Sequence, residues 1–290
     1  MTVIFHGKDA EEYRFISAPN GLTGWIRKDL PEEFFAEFVR DPGGFLDGPS
    51  AQVLKDDGKT KVVQIKFSGP SGAAPELVVK RFRYSSPLRR LGFLFSASPG
   101  LRSLRGALLL KRKGFYTAAP LAAFEFRNWN DLGTSYYITE AIGDSCSLRS
   151  FWMEAAPALA RGEKIRLGRS VVRQAAELFA RLHAAGIYHG DLKGSNILMQ
   201  DWKSGQRRFF LIDLDRVTER GPLSRAKRIK NLLQIKVSWG ARERVYFYLR
   251  YAALYCSSKP EAKALVLRAL AFHRQQSRAP RARPAAIIIT

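Results

Sequence analysis

Hydrophobic and polar residues alternate in short runs through the first half of the chain, which is the pattern of half-buried β-strands. Asp56, Asp57 and Gly58 separate the first two runs and predict a hairpin turn between them. The predicted strands are residues 50–54, 61–67, 76–82, 121–127 and 135–140. This half of the chain therefore predicts a sheet of about five strands.

The pattern changes to a helical period after Gly143. Apolar residues recur every three or four positions between Leu167 and Leu182, which predicts a long amphipathic helix that ends at Gly186. Other predicted elements are helices over 30–39 and 101–113, short strands over 197–199 and 208–212, and mainly helix over 222–275. We therefore predict an α+β protein with an antiparallel-sheet lobe over residues 1–140, which contains one main helix, and a mainly helical lobe over residues 141–290.

Composition places the chain among globular proteins of a reducing compartment. Of its 290 residues 46% are hydrophobic, which is enough to bury a sizeable core. Cys146 and Cys256 lie far apart and match neither a disulfide framework nor a zinc motif. The N-terminus lacks the pattern of a secretory signal, and no apolar run approaches the roughly 18–20 residues that cross a bilayer. We expect a cytoplasmic protein.

The net charge of +22 is the most unusual feature of the composition. No acidic residue occurs between Glu76 and Glu125, and a second basic stretch spans residues 216–250. Such regional charge attracts polyanions, namely nucleic acid, anionic lipid headgroups or phosphorylated glycans. The alternative is a solvated surface that keeps the protein soluble.

One segment of the chain has the residues of a phosphoryl-transfer centre. Residues 189–196 (HGDLKGSN) follow the long predicted helix, and Asp213 ends an apolar strand. Asp191 can orient an attacking hydroxyl and accept its proton, and Lys193 can neutralise charge on the transferring phosphoryl group. Asn196 and Asp213 supply the oxygen ligands that Mg²⁺ prefers.

The spacing of this segment is specific. The pattern His-x-Asp-x-x-x-x-Asn is expected about 0.003 times by chance in a chain of this composition. The structural alternative is that Asp191 caps a turn and Asn196 bonds to the backbone.

The segments HGDLKGSNIL and LIDLD resemble the catalytic loop and the metal-binding motif of the protein-kinase-like superfamily. Together with LVVKRFRY, YYITEAI and RAKRIKNLLQIKVS, they are most similar to bacterial lipopolysaccharide core kinases, which phosphorylate Kdo or heptose. The resemblance covers roughly residues 50–240.

The resemblance implies a role for several residues. Asp191 corresponds to the catalytic base, Lys193 to the loop lysine beside the transferred group, and Asn196 and Asp213 to the Mg²⁺ ligands. Lys80 corresponds to the strand lysine that holds the ATP phosphates. The residues implied in the hinge that would pair with adenine are Glu140, Ala141 and Ile142.

The chain departs from the superfamily pattern in three places. The turn over residues 55–60 has one glycine, Gly58, instead of a glycine-rich phosphate loop. The helix over 101–113 has Ser103 where a glutamate would pair with Lys80, so either Glu125 or the nucleotide alone holds the lysine, or the site is weakened. Arg228 stands where the related kinases often have an aspartate.

The leading hypothesis is an ATP- and Mg²⁺-dependent kinase for a sugar hydroxyl of the lipopolysaccharide core or of a lipid A precursor glycan. The basic stretches would then bind the glycan and an anionic membrane surface, rather than nucleic acid, at the cytoplasmic face of the inner membrane. The alternatives are a protein Ser/Thr kinase, against which the short segment after Asp213 argues, and a pseudokinase or polyanion-binding module.

Overall fold

The structure is a computed structural model that describes residues 9–30, 33–66, 76–84, 96–126, 128, 133–235, 237 and 239–278. Contacts divide the chain into two compact units. The first unit comprises Met1–Ser150 and His189–Glu219, and the second comprises Phe151–Tyr188 and Arg220–Thr290. The domain boundary between residues 140 and 141 stays a prediction.

The described residues form strands and helices in the mixture that the sequence predicts. The strands are β1 Tyr13–Ser17, β2 Leu22–Arg27, β3 Ala51–Asp56, β4 Thr60–Lys66, β5 Glu76–Arg83, β6 Pro120–Phe126, β7 Thr134–Glu140, β8 Ser145–Ser147, β9 Ile187–His189, β10 Ile197–Gln200, β11 Arg208–Leu211 and β12 Val217–Glu219. The helices are α1 Asp9–Glu12, α2 Glu33–Arg40, α3 Pro42–Asp47, α4 Pro99–Arg112, α5 Leu148–Ser150, α6 Arg161–Ala184, α7 Arg225–Leu233, α8 Ala241–Tyr255 and α9 Lys259–Arg278. The predicted α+β class is confirmed.

The first unit contains an antiparallel sheet of seven strands in the order β1-β2-β6-β7-β5-β4-β3. The expectation of about five strands was wrong, because residues 13–27 add β1 and β2 to one edge of the sheet. Gly24 in β2 reads as a strand breaker in the sequence. In the structure a Cβ at Gly24 would lie 2.2 Å from the carbonyl oxygen of Ala123, so only glycine allows the two strands to approach this closely.

An aromatic cluster packs helices α2 and α3 against this sheet. Phe38 of α2 is fully buried, and its ring centroid lies 5.1 Å from that of Phe124 and 5.2 Å from that of Tyr136. Phe45 of α3 completes the cluster at 5.5 Å from Phe38. Residues 33–47, which the family resemblance does not include, therefore provide one layer of the core.

Strand alternation gives the sheet a second chemical surface. Val63 and Val79 belong to the buried core, whereas Val62, Val78 and Lys80 have the opposite parity and line a cavity. Helix α4 packs against β5, β6 and β7.

Helix α4 begins two residues before the predicted start at Leu101 and ends one residue before the predicted end at Lys113. The Oγ of Ser98 accepts a hydrogen bond from the Leu101 amide at 3.3 Å, and Pro99 is the first helical residue. The chain leaves the helix at Gly114, whose φ of 73° favours glycine. The first unit also contains a small antiparallel sheet in the order β11-β10-β8.

The second unit is built on α6 packed against α8. His183 of α6 is fully buried, donates from Nε2 to the Asn231 Oδ1 at 3.1 Å, and accepts at Nδ1 from the Tyr251 hydroxyl at 2.7 Å. Burial lowers the pKa of His183 to about 4, so the ring is neutral near pH 7. The long predicted helix is confirmed, and His183 is one of its packing residues.

Arg228 is a second buried polar side chain of this unit. It forms an ion pair with Glu261 at 3.1 Å, and its guanidinium carbon lies 4.4 Å from the centroid of the Tyr255 ring. These contacts give the arginine a structural role within the second unit. A search of the described part of the chain finds no helix with the length and apolarity required to span a membrane.

Candidate active site

The loop after β9 brings Asp191, Lys193 and Asn196 together. The Lys193 Nζ lies 2.8 Å from the Asp191 Oδ2, and the Lys193 amide donates to the Asp191 carbonyl at 3.0 Å. The side-chain amide of Asn196 donates to the carbonyl oxygen of Asp191 at 2.8 Å and to its Oδ2 at 3.2 Å. The Asp191 side chain is 34% exposed, so its carboxylate is fixed by two neighbours and open to a substrate.

The side chain of His189 holds this loop through two hydrogen bonds. Its buried ring donates from Nε2 to the carbonyl oxygen of Ile212 at 3.1 Å and accepts at Nδ1 from the Asp191 amide at 3.3 Å. Burial lowers the pKa of His189 to about 4, which leaves the ring neutral near pH 7. The ring therefore ties the catalytic loop to the segment that precedes Asp213.

Close packing against Arg216 explains the glycine at position 190 of the loop. Its amide donates to the carbonyl oxygen of Arg216 at 3.1 Å. A Cβ at this position would lie 2.6 Å from the Cβ of Arg216 and 3.0 Å from its carbonyl oxygen. A larger residue would push the loop away from the turn that follows Asp213.

Asp213 lies just beyond β11, in the left-handed region, with φ 64° and ψ 60°. It is followed by a 3₁₀ turn over Leu214–Arg216. Its Oδ1 forms an ion pair with the Lys80 Nζ, and its Oδ2 accepts from the Asn196 amide at 3.4 Å. Burial raises the pKa of Asp213, but the charge and hydrogen bond of Lys80 outweigh burial, so the pKa lies below its usual value.

Lys80 reaches this aspartate from the sheet. It stands opposite Val62 of β4 and Tyr137 of β7, and only 17% of its side chain is exposed. The expectation that Glu125 takes the place of the helix glutamate was wrong, because Glu125 is buried and accepts from the Ser98 amide at 3.3 Å. The described partner of the Lys80 ammonium is Asp213.

Helix α4 contacts the turn after Asp213 rather than Lys80. Ser103 donates from its hydroxyl to the Pro99 carbonyl oxygen of the same helix at 2.9 Å. Arg102 donates from Nε to the Asp215 carbonyl oxygen at 3.1 Å. Arg102 was not among the predicted site residues. The only signal for it in the sequence is its position, one residue before Ser103.

Asp215 is a further acidic group beside the site. Burial raises its pKa, as does the charge of Asp213, while Lys80, Arg102 and Arg216 act in the opposite direction. The net shift is upward, and only 11% of the side chain is exposed. The carboxylate lies 3.8 Å from the Arg102 Nη2 and 3.9 Å from the Arg216 Nε.

The predicted hinge begins at the last residue of β7, Glu140. The Glu140 amide donates to the Ala119 carbonyl oxygen at 3.0 Å, and the Ala141 amide donates to the Glu76 carbonyl oxygen at 2.7 Å. The Glu140 carboxylate also accepts from Arg27 of β2 at 3.3 Å, which connects the added strands to this segment.

A cavity of about 520 Å³ joins these groups. Six of the eight predicted site residues line it, namely Lys80, Glu140, Ile142, Lys193, Asn196 and Asp213. Of the other two, Asp191 is bonded to Lys193 and Asn196, and Ala141 lies between two of the lining residues in the chain. Apolar side chains from both sheets, including those of Val62, Val78, Leu198 and Ile212, form the walls. This volume and lining are typical of a pocket for a nucleotide-sized ligand.

The hairpin between β3 and β4 replaces the glycine-rich loop. The amides of Lys59 and Thr60 donate to the Asp57 Oδ1 at 3.1 and 2.7 Å, and the Gly58 amide donates to the Asp56 Oδ1 at 3.0 Å. The hydrogen bond from Lys55, together with these amides, lowers the pKa of Asp57 to about 2. The aspartate side chains of this turn therefore accept hydrogen bonds from the backbone amides of residues 58–60. In a glycine-rich loop such amides donate to phosphate instead.

The donor set at the base of the cavity fits Mg²⁺. Asn196 and Asp213 provide an amide and a carboxylate in hydrogen-bond contact, and these are hard oxygen ligands. No cluster of three or more His, Cys, Asp and Glu suited to a metal occurs in the described residues.

The chain is similar in fold to a solved protein structure. A solved structure titled "WaaP in complex with acyl carrier protein" superimposes with a TM-score of 0.59 over 86% of this chain and 96% of that one, at 20% identity. This similarity confirms the kinase-like fold. No curated protein sequence matches the chain.

The sequence profile of a protein family matches residues 102–246, which are half of the chain and include the catalytic loop and Asp213. The profile is that of the lipopolysaccharide kinase (Kdo/WaaP) family, a family of phosphotransferases. The chain therefore belongs to the lipopolysaccharide kinase (Kdo/WaaP) family.

Proposed function

We propose that this chain transfers the γ-phosphate of ATP to a hydroxyl of a Kdo or heptose sugar in the lipopolysaccharide inner core. The observation that supports this most is the meeting of Lys80, Lys193, Asn196 and Asp213 at one cavity, with Asp191 bonded to two of them. Two carboxylates, one amide and two ammonium groups are the protein groups that phosphoryl transfer requires.

Asp191 is the proposed base. Its carboxylate accepts the proton of the sugar hydroxyl while the hydroxyl oxygen forms a bond to the γ-phosphorus. The bond from that phosphorus to the β–γ bridging oxygen breaks, and ADP leaves with the electron pair. The Lys193 ammonium, 2.8 Å from Asp191, keeps the carboxylate oriented and stabilises negative charge on the transferring group.

Asn196 and Asp213 are the proposed Mg²⁺ ligands, and the ion would neutralise charge on the β- and γ-phosphates. Lys80 contacts Asp213 in the structure and is the proposed ligand of the α- and β-phosphates. Glu140 and Ile142 are the proposed adenine contacts, through their backbone carbonyl and amide groups. Val62, Val78, Leu198 and Ile212 offer the flat adenine ring an apolar slot.

The short connection after Asp213 favours a glycan acceptor over a protein. The 3₁₀ turn ends at Arg216, β12 ends at Glu219, and helix α7 begins at Arg225. A protein kinase generally has a longer segment here to bind its peptide substrate. Arg216, whose side chain is 68% exposed, adds a cation that suits an anionic sugar.

We also infer that the protein binds the anionic cytoplasmic face of the inner membrane. Much of the charge on α4 is engaged within the first unit, since Lys111, Arg112 and Lys113 form ion pairs with Glu12, Asp9 and Glu219. The second unit presents exposed cations, which are Lys164, Arg166 and Arg169 on α6 and Lys227 and Lys230 on α7. Each such cation near an anionic surface contributes on the order of 1 kcal/mol. Binding to vesicles that contain anionic lipid, and its loss in high salt, would test this inference.

The function is tested by the Asp191→Asn variant with Mg²⁺-ATP and purified lipid A–core acceptor. We expect phosphate transfer to fall by roughly three orders of magnitude or more while nucleotide affinity stays within a few fold, because the change removes the base and retains the shape. The matched control is Asp201→Asn, in an exposed turn with φ 54°, where asparagine is well tolerated. Wild-type protein that binds nucleotide but phosphorylates no lipopolysaccharide acceptor would refute the proposal. Transfer to protein instead would favour the protein-kinase alternative, and the absence of any nucleotide binding would favour the polyanion-binding module.

A further inference from the structure

Arg102, in the first turn of α4, connects this helix to the turn after Asp213. Its Nε donates to the Asp215 carbonyl oxygen at 3.1 Å, and its Nη2 lies 3.8 Å from the Asp215 carboxylate. Its Nη1 donates to the carbonyl oxygen of Ala97 at 2.8 Å, just before the helix. A guanidinium group is planar and rigid, so these contacts fix its position on both sides.

One turn further along α4, the helix backbone rests directly on the same segment. A Cβ at Gly106 would lie 2.6 Å from the Leu214 carbonyl oxygen and 3.1 Å from the Leu214 Cβ. Residues 102 and 106 are four positions apart and therefore lie on one face of the helix. This face of α4 holds the turn over Leu214–Arg216 at two successive points.

The turn needs such support because of the backbone of Asp213. Residues other than glycine adopt a left-handed conformation infrequently, and aspartate is among those that do. This conformation persists where the surroundings hold it. The carbonyl of Asp215, which Arg102 binds, is two residues after this strained position. A change at the carbonyl would therefore rotate the Asp213 carboxylate.

In protein kinases the helix reaches the site through a glutamate that pairs with the strand lysine. Here Ser103 bonds within its own helix, and Lys80 binds Asp213. We propose that Arg102 is a positioning residue that orients the metal-binding carboxylate of Asp213 through Asp215, in place of the lysine–glutamate pair. This role rests on the proposed function in one respect, namely that Asp213 binds the metal ion.

The test compares Arg102→Ala with Arg112→Ala, because the two arginines are on the same helix, pair with aspartates and are 37% and 38% exposed. Mn²⁺ binding in the presence of a non-hydrolysable ATP analogue is followed by electron paramagnetic resonance. Loss of a group that orients a metal ligand generally weakens metal binding roughly 10–100-fold. We expect that loss for Arg102→Ala, with nucleotide affinity in the absence of divalent ions changed by less than about twofold. Arg112→Ala should leave the Mn²⁺ affinity and the nucleotide affinity within about twofold of wild type. Arg102→Lys should give a loss of Mn²⁺ affinity between those of wild type and Arg102→Ala, since lysine keeps the positive charge but lacks the planar set of guanidinium donors.

Hydrogen exchange provides a readout that does not depend on the metal. The amides of residues 214–217 should exchange faster in Arg102→Ala than in wild type or Arg112→Ala. Unchanged Mn²⁺ affinity or unchanged exchange in folded Arg102→Ala protein would overturn the positioning role. Wild-type protein that binds Mn²⁺ with nucleotide but does not phosphorylate lipid A–core would instead overturn only the proposed acceptor.

Discussion

The contact between Gly106 and the turn after Asp213 predicts an unusual response to a Gly→Ala change. Alanine at an interior helix position is normally better than glycine by about 1 kcal/mol. At Gly106, however, the added Cβ would lie 2.6 Å from the Leu214 carbonyl oxygen, 3.1 Å from the Leu214 Cβ and 3.3 Å from the Val217 Cβ. Carbon–oxygen contacts are comfortable from about 3.3 Å, so α4 and the turn would have to separate by roughly 0.7 Å.

The size of the effect follows from these two opposing terms. Overpacking a close contact costs about 1–3 kcal/mol. The gain in helix propensity offsets up to about 1 kcal/mol of this cost. We expect the free energy of unfolding to fall by about 1–2 kcal/mol, which corresponds to a decrease in Tm of about 2–8 °C. Because the displaced turn carries Asp213, phosphotransfer should fall more than stability suggests, by roughly ten- to a hundred-fold.

Thermal unfolding and initial rates of phosphotransfer measure both effects in one preparation. The matched control is Gly162→Ala in α6, where a Cβ would meet no atom of the described residues within 4 Å. That variant should be more stable by about 0.5–1 kcal/mol and fully active. A Gly106→Ala protein that melts at or above the wild-type temperature with full activity would refute the close contact between α4 and the turn.

Three further changes test separate parts of the structure. Lys80→Ala should lower the rate of phosphotransfer by roughly 10²–10³-fold in a steady-state assay. The control is Lys66→Ala, at a strand lysine that is 80% exposed, and it should leave the rate unchanged. Equal rates for the two variants would contradict the role of Lys80. Because the pKa of His183 is about 4 in the folded protein and about 6.5 when unfolded, its contribution to stability is complete above pH 6.5 and is lost as the pH falls toward 4. Urea unfolding at pH 5 relative to pH 7.5 should therefore include a loss of about 2 kcal/mol from His183 beside a similar loss from His189, and only the His183 part should disappear in His183→Gln. Ser98→Ala removes the cap of α4 and should lower the free energy of unfolding by about 1 kcal/mol, and an unchanged unfolding curve would show that the cap contributes nothing.

Local patterns predicted a large part of this molecule. The strands from β3 to β7 and helices α4 and α6 follow from alternation, helical period and capping residues, which act over a few neighbouring positions. The catalytic loop is equally local, because Asp191, Lys193 and Asn196 lie within six positions and one turn brings them together. The proximity of these three side chains could therefore be predicted from their spacing.

Contacts between distant parts of the chain could not be predicted in this way. Strand β1 was missed because an edge strand is half exposed, and β2 was missed because Gly24 interrupts its pattern. The formation of both strands depends on the pairing of β2 with β6. The basic residues at the end of α4 are also engaged by distant acidic side chains. The ion pairs join Lys111 to Glu12, Arg112 to Asp9 and Lys113 to Glu219. Which charges stay exposed is decided by neighbours that the linear sequence does not reveal.

The sequence by itself determined the fold class and the grouping of Asp191, Lys193 and Asn196, because each depends on residues that are close along the chain. Only the tertiary structure decided how the site is held together. The pair of Lys80 with Asp213 joins residues 133 positions apart, and the bond from Arg102 to Asp215 joins residues 113 positions apart. Over such separations no residue type specifies its partner, and the packing of α4 and the sheet determines which groups meet.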